Sequence, residues 1–335
     1  MKVKAVGKKL LILGATGFIG RNLTKYFLNK SDYQIHAVAN STKPFSSNDI
    51  QWHEIDLTSG PQVNLLIKNI KPDILIQAAA STSGSNDIIT NPSIHVTDNA
   101  VMNSYIFRSA TEADVKHLIF FSCTVMYPSG EKPIKEMEFD ANEPIRNEYF
   151  GAAHTKLYLE KMCEFYSSLG KTKFTVVRHS NIYGPYDKFD LEKSHFLGAT
   201  ISKVMLARDK IRVWGSGLEK RDLLYVDDLC VFVDLAIKHQ ASSFEIYNCG
   251  SGVAVQLMDA VALIIKQSKK SLVIENELGK PSIPTALCLN YDKANNELGW
   301  SPKISLEEGI SKTISWWKKS IDTKTLLLKR ELTTR

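Results

Sequence analysis

Three glycines at a fixed spacing, Gly14, Gly17 and Gly20, stand between the apolar run Leu10-Leu-Ile-Leu13 and a stretch that carries Phe18, Ile19, Leu23, Tyr26 and Phe27 on its inner side. Strand, glycine turn and helix in that order make a site for the pyrophosphate of a dinucleotide. The first glycine permits the tight turn. The second lets backbone N–H groups approach the phosphates at the helix N-terminus, and the third lets helix and strand pack closely. Gly14, Thr16, Gly17, Phe18, Ile19 and Gly20 are therefore candidate cofactor contacts. A second strand over residues 34–39 normally ends at the adenosine ribose, where a carboxylate would bind the hydroxyls of NAD and repel the 2′-phosphate of NADP. Here stand Asn40, Ser41 and Lys43, with no carboxylate. That favours NADP(H), with NAD(H) as the alternative.

Such a site needs strands that end together at one edge of a sheet. Residues 50–55 lead to Asp56 and Leu57, and residues 73–77 lead to Ala78, Ala79 and Ala80; both read as strand ends at the same edge. A helix is expected over residues 92–113, carrying Asn99 and Asn103, then strands over 117–121, 173–178 and 244–250. Further helices are expected over 255–266 and 306–317. The alternation predicts a doubly wound α/β parallel sheet of the Rossmann type with a smaller C-terminal lobe. Residues 1–180 and about 223–250 would form the dinucleotide-binding domain. Residues of about 181–222 and 251–320 would form the second lobe, with 321–335 a peripheral tail.

The bulk numbers bound the rest. With 335 residues the chain can hold one large domain or two closely joined ones. It has no apolar run of about 18 residues for a membrane span, and its N-terminus lacks a signal-peptide pattern, so a cytoplasmic protein is expected. Five cysteines with no Cys-x-x-Cys suggest neither a disulfide framework nor a zinc site. The net charge of +6 lies partly in the terminal segments. It shows no clustered basic and aromatic face for nucleic acid, and it suits an anionic small substrate.

The glycine spacing, as Gly14-Ala-Thr-Gly-Phe-Ile-Gly20, resembles the short-chain dehydrogenase/reductase superfamily, in particular its extended, nucleotide-sugar-modifying branch. The resemblance implies that Asp56 contacts adenine, that Leu57 and Ala78 to Ala80 make room for the cofactor, and that Asn99 and His179 lie against it. It also implies a Ser or Thr four residues before a Tyr, bonding the reacting sugar oxygen. Counting back from Tyr127 reaches Cys123, with Ser122 and Thr124 on either side, and these three are the candidates. The branch's Tyr-x-x-x-Lys motif puts both side chains on one helix face, the lysine binding the nicotinamide ribose and lowering the tyrosine pKa. Lys156 matches, with Glu160 four residues on. Ala152 stands where the tyrosine belongs, through natural loss or an engineered change. Tyr149, seven residues ahead of Lys156 and roughly 10 Å away along a helix axis, reads as a poor substitute.

Downstream the resemblance narrows to the GDP-L-fucose synthase-like 4-keto sugar nucleotide reductases. It rests on Gly184 to Phe189, Ser194-His195, Val213 to Gly217, Arg221, Val226 to Asp228, Lys280-Pro281 and Leu298 to Trp300, and covers about residues 10 to 318. By this match Asn181 contacts substrate and His195 is an epimerisation acid or substrate ligand. Arg221 clamps the diphosphate, a task suited to its bidentate fork. Lys203 and Lys280 add anion contacts, and Trp214 lies near the base. Val125 occupies the position of that family's epimerisation cysteine, so hydride transfer at C4 is expected, with 3,5-epimerisation a live variant. The implied function is NADPH-dependent reduction of a 4-keto-6-deoxy nucleotide sugar, GDP-linked by preference. The alternatives are a C4 epimerase or dehydratase with tightly bound NAD, and a non-catalytic nucleotide-binding protein. Helices over 92–113 and 149–169 resemble a four-helix homodimer interface.

Overall fold

The computed structural model of the chain describes residues 7–40, 42–82, 91–190, 194–280 and 282–321. The first part runs β1 (Lys8–Leu13), α1 (Phe18–Leu28), β2 (Tyr33–Ala39), β3 (Ile50–Glu54), α2 (Gly60–Ile70), β4 (Ile74–Gln77), α3 (Thr97–Glu112), β5 (His117–Phe121), α4 (Phe150–Leu169) and β6 (Lys173–His179). There follow β7 (Asn181–Tyr183), α5 (Phe196–Leu206), β8 (Lys210–Trp214), β9 (Lys220–Tyr225), α6 (Val226–His239), β10 (Phe244–Cys249), β11 (Ala254–Gln256), α7 (Leu257–Ser268), β12 (Val273–Glu277), α8 (Asp292–Leu298) and α9 (Leu306–Ser320).

Seven strands form one parallel sheet in the order β10-β6-β5-β4-β1-β2-β3. The winding reverses between β1 and β4, which creates the crevice where ligands of such sheets bind. Leu10 to Leu13 form an unbroken apolar run because β1 is buried on both faces. On one side Leu10 and Ile12 meet Leu23 and Phe27 of α1 and Leu229 and Phe232 of α6. On the other, Leu11 and Leu13 meet Ile67 of α2, Ile106 and Phe107 of α3 and Leu159 of α4.

A separate apolar cluster holds the second lobe together. It joins Tyr183, Leu197, Ile201, Val213, Ile264, Ile310 and Trp317 across β7, α5, β8, α7 and α9. Two small sheets, β11-β9-β7 and β12-β8, carry its site residues. Asn22 of α1 donates to Pro185 O at 2.8 Å, and the Arg21 guanidinium lies 4.2 Å from the Tyr186 ring centroid. These contacts tie the lobe to the glycine-loop helix.

Two expected helices differ in extent. Residues 254–256 pair antiparallel with β9, Val255 opposite Arg221, so the helix expected from 255 begins at Leu257; sheet pairing overrides the local pattern there. The helix expected over 92–113 is a 3₁₀ turn at Pro92–His95 followed by α3 from Thr97.

Asp187, beside the lobe junction, gives a pH test of the fold. Its carboxyl is 8% exposed, accepts from the Lys188 backbone N–H at 2.7 Å, and is pushed up to about 7 by burial. A raised folded pKa means that the stabilising contribution is present below the unfolded value of 3.8 and is lost as pH rises through about 7. The full difference amounts to ~4 kcal/mol. Asp187→Asn is therefore expected to lose markedly less stability than the parent between pH 5 and pH 8 in urea titrations. Parallel losses in both proteins would refute the assignment.

Candidate active site

The glycine turn fits a dinucleotide on its own geometry. Gly14 adopts φ +72°, and a Cβ there would meet the Ala79 backbone at 2.7 Å. A Cβ on Gly20 would come within 2.2 Å of Gly14 O. β1, the residues after β4 and the first turn of α1 are thus in backbone contact, closer than any side chain allows. Gly17 is the N-cap of α1, and neither a side-chain cap nor an acidic residue competes for the first N–H groups of Phe18 and Ile19. An anion completes such an end. Gln77 braces the adjoining edge by bonding both N–H and C=O of Ala79.

Other expected cofactor contacts have engagements of their own. Asn40 and Lys43 are exposed at the end of β2, and Ser41 lies outside the described residues. Asp56 accepts from Thr58 N at 2.9 Å and Thr58 Oγ1 at 2.7 Å, closing a turn beside buried Leu57. Asn99 donates to Ser81 O and His95 O and accepts from Ser81 N. Its amide is fully engaged by backbone, so it shapes the loop after Ala80 instead of presenting a ligand group. His179 bonds Ser180 O through Nδ1 and is pushed down to about 4 by burial, which keeps it neutral.

Lys156 sits on α4 one turn after Ala152. Its Nζ donates to Phe121 O at 2.8 Å at the end of β5 and lies 4.7 Å from the Phe120 ring centroid. Burial lowers its pKa, and nearby Cys123 and Glu160 partly restore it. Of the three candidates after β5, Ser122 is corrected by the structure. It is 2% exposed and donates its hydroxyl to Glu160 Oε1, so it faces the interior instead of a substrate carbonyl. Glu160 in turn pairs with Arg178 at 2.7 Å, both about 4% exposed, and Arg178 Nη1 donates to Tyr127 OH, which donates to Asn248 Oδ1. Burial pushes Tyr127 up to about 12. Cys123 is half-buried, its thiol raised by burial and lowered by Lys156.

Thr124 lines a solvent-open cleft with Asn181 and Arg221. Tyr127, Ser129, Arg146, Tyr149 and Thr285 add to its polar wall. The Arg221 guanidinium donates to Ile283 O, Thr285 O and Lys220 O, which orients it at the rim. Trp214 is flanked by two ammonium groups, Lys203 at 5.1 Å and Lys280 at 5.7 Å from its ring. His195 is the exposed N-cap of α5; the surrounding protein and then Lys188 lower its pKa. Arg146 was not anticipated from the sequence. Its only signal was position, three residues ahead of Tyr149 in the run that enters α4.

Residues 10–250 match the NAD dependent epimerase/dehydratase family. The chain belongs to that family. As a member it is an NAD(P)-dependent enzyme of the extended short-chain dehydrogenase/reductase class. It is 26% identical over 314 residues to GDP-L-colitose synthase of Yersinia pseudotuberculosis, covering 92% of this chain and 97% of that protein. It is 31% identical over 327 residues to GDP-L-fucose synthase 1 of Arabidopsis thaliana, covering 93% and 94%. UDP-glucose 4-epimerase of Thermotoga maritima shares the fold, with a TM-score of 0.80 at 23% identity over 94% of this chain and all of that one. Ala152 and Cys123 stand at the positions where the sequence resemblance places a tyrosine and a Ser or Thr.

Proposed function

We propose that this enzyme reduces the C4 keto group of a 4-keto-6-deoxy nucleotide sugar, GDP-linked, with NADPH as reductant. The observation that carries the reading is the junction of Lys156 with the end of β5, beside the cleft that Thr124, Asn181 and Arg221 line. The similarity to GDP-L-colitose and GDP-L-fucose synthases supports the GDP-sugar. The absence of a carboxylate at Asn40, with Lys43 nearby, supports NADP(H) over NAD(H).

In this reading residues 1–180 with 223–250 hold the dinucleotide and the second lobe holds the sugar. Gly14 to Gly20 hold the pyrophosphate, Asp56 and Leu57 flank the adenine, and Lys156 holds the nicotinamide ribose. NADPH, when bound, supplies the hydride. Thr124 and Asn181 orient the carbonyl, Arg221 neutralises the diphosphate, and Trp214 with Lys203 and Lys280 receives the base. His195 contacts the sugar. Val125, an aliphatic residue, cannot remove a proton alpha to the ketone, so C4 reduction is the core of the reading and 3,5-epimerisation its variant. A cytoplasmic homodimer is part of the same proposal, supported by the exposed Tyr158, Phe165 and Leu169 along α4.

The test is NADPH absorbance with GDP-4-keto-6-deoxymannose and related keto sugars. Oxidation of NADPH, faster than of NADH, is the expected result. Turnover without added cofactor would replace this reading with an epimerase or dehydratase that recycles NAD. Cofactor binding with no turnover of any keto sugar would replace it with a nucleotide-binding protein.

A further inference from the structure

Reduction of a ketone needs a proton for the developing alkoxide, and Ala152 has no group to give one. The neighbouring side chains narrow the choice. Ser122 is committed to Glu160, and Tyr127 is held between Arg178 and Asn248. Lys156 spends one donor on Phe121 O and, in the reading above, the others on the nicotinamide ribose, and His179 bonds Ser180 O through Nδ1 and is held neutral by burial. Thr124 has only an alcohol proton, far too weak an acid to be the source.

Tyr149 is differently placed. The expectation that it is remote assumed one helix from 149 to 156. Instead residues Asn147–Tyr149 form a 3₁₀ turn, and α4 begins at Phe150. The half-buried Tyr149 ring lines the cleft with Thr124, Asn181, Arg146 and Arg221. Among the described residues its hydroxyl makes no hydrogen bond. Burial raises its pKa, the charges of Arg221 and Arg146 act in the opposite direction, and Glu148, paired with Arg146 at 3.6 Å, acts with burial. Cys123, which feels the Lys156 charge, lies within electrostatic reach of the same phenol. The Tyr149 ring thus shares one cleft with Thr124 and Asn181, within electrostatic reach of the two guanidinium groups.

We infer that Tyr149 is the proton donor of this enzyme, replacing the helix tyrosine lost at Ala152, with Arg146 and Arg221 in place of Lys156 as its charge partners. The inference rests on the reductase reading above. As hydride from NADPH reaches C4, the carbonyl π bond breaks, and its oxygen takes the phenolic proton. NADPH is oxidised to NADP⁺, the ketone becomes an alcohol, and the phenolate, within reach of the Arg146 and Arg221 charges, regains a proton from solvent through the open cleft.

Tyr149→Phe is expected to lower kcat by about 10²-fold or more, the range of general acid catalysis. KM and NADPH binding, followed by nucleotide fluorescence, should change little. The alkaline limb of the parent's kcat profile should vanish in the residual activity, and Ala152→Tyr added to Tyr149→Phe should recover rate. Independently of turnover, the difference in tyrosinate absorbance between parent and Tyr149→Phe reports the ionisation of this one phenol, and Arg146→Gln should move it to higher pH. A parent that turns over and a Tyr149→Phe enzyme that keeps both rate and alkaline limb would overturn the assignment. A parent that turns over no keto sugar overturns the reductase reading itself, before any variant is made.

Discussion

Glu160→Ala is expected to destabilise the protein by about 3–5 kcal/mol, the cost of leaving one member of a buried ion pair without its partner. Glu160 and Arg178 are each about 4% exposed, and the carboxylate accepts from Arg178 Nε at 3.1 Å and Nη2 at 2.7 Å as well as from Ser122. Removing it strands a guanidinium among Phe139, Tyr127 and the Glu136 carbonyl. The effect is local as well as global, because the same carboxylate fixes the residue that follows β5. Urea titration measures the first. Glu160→Gln, which keeps an oxygen for Ser122 but not the charge, should fall between parent and alanine variant. A loss below about 1 kcal/mol for Glu160→Ala would mean that the pair is solvated in solution.

Lys156→Ala is expected to lower kcat/KM by about 10²–10⁴-fold, since in the proposed function the ammonium orients the cofactor beside the reacting carbon. Lys156→Arg should not rescue, because a planar fork cannot reproduce one compact ammonium on Phe121 O. The pH dependence has a definite sign. Burial lowers the Lys156 pKa, so its charge is lost at lower pH than in a free lysine. NADPH affinity in the parent should therefore weaken on the alkaline side before the ordinary value of 10.5 is reached, and the Lys156→Ala protein should lack that limb. Isothermal titration across pH measures both. An unchanged affinity profile in the variant would remove Lys156 from the cofactor site.

The two variants separate framework from chemistry on one helix. Glu160 and Lys156 are four residues apart and share a face of α4, yet one turns into a sealed charge pair and the other toward the sheet edge. If the predictions hold, the first changes stability with cofactor affinity moving only through folding, and the second changes affinity and rate in a folded protein.

Much of this was readable before any fold was known, where function depends on a few adjacent residues. The glycine turn is such a case: Gly14, Gly17 and Gly20 act through backbone spacing that neighbours in sequence dictate, and the apolar run at Leu10 to Leu13 announces a strand buried on both faces. The i, i+4 relation of Ala152 and Lys156 is equally local, so the missing phenol was visible at once. Tertiary structure decided what depends on distant partners. Ser122, one of three candidates after β5, is engaged by Glu160, 38 residues away. Asn99 is engaged by Ser81, 18 residues away, and Val255 leaves its helix for a strand because Arg221 of β9 stands opposite it. Tyr149 stands on a 3₁₀ turn and lines the cleft with Thr124, Asn181 and Arg221, a placement that its distance along an ideal helix does not convey. Backbone geometry is set within a turn or a strand, whereas the direction of a side chain is set by whatever the fold packs against it.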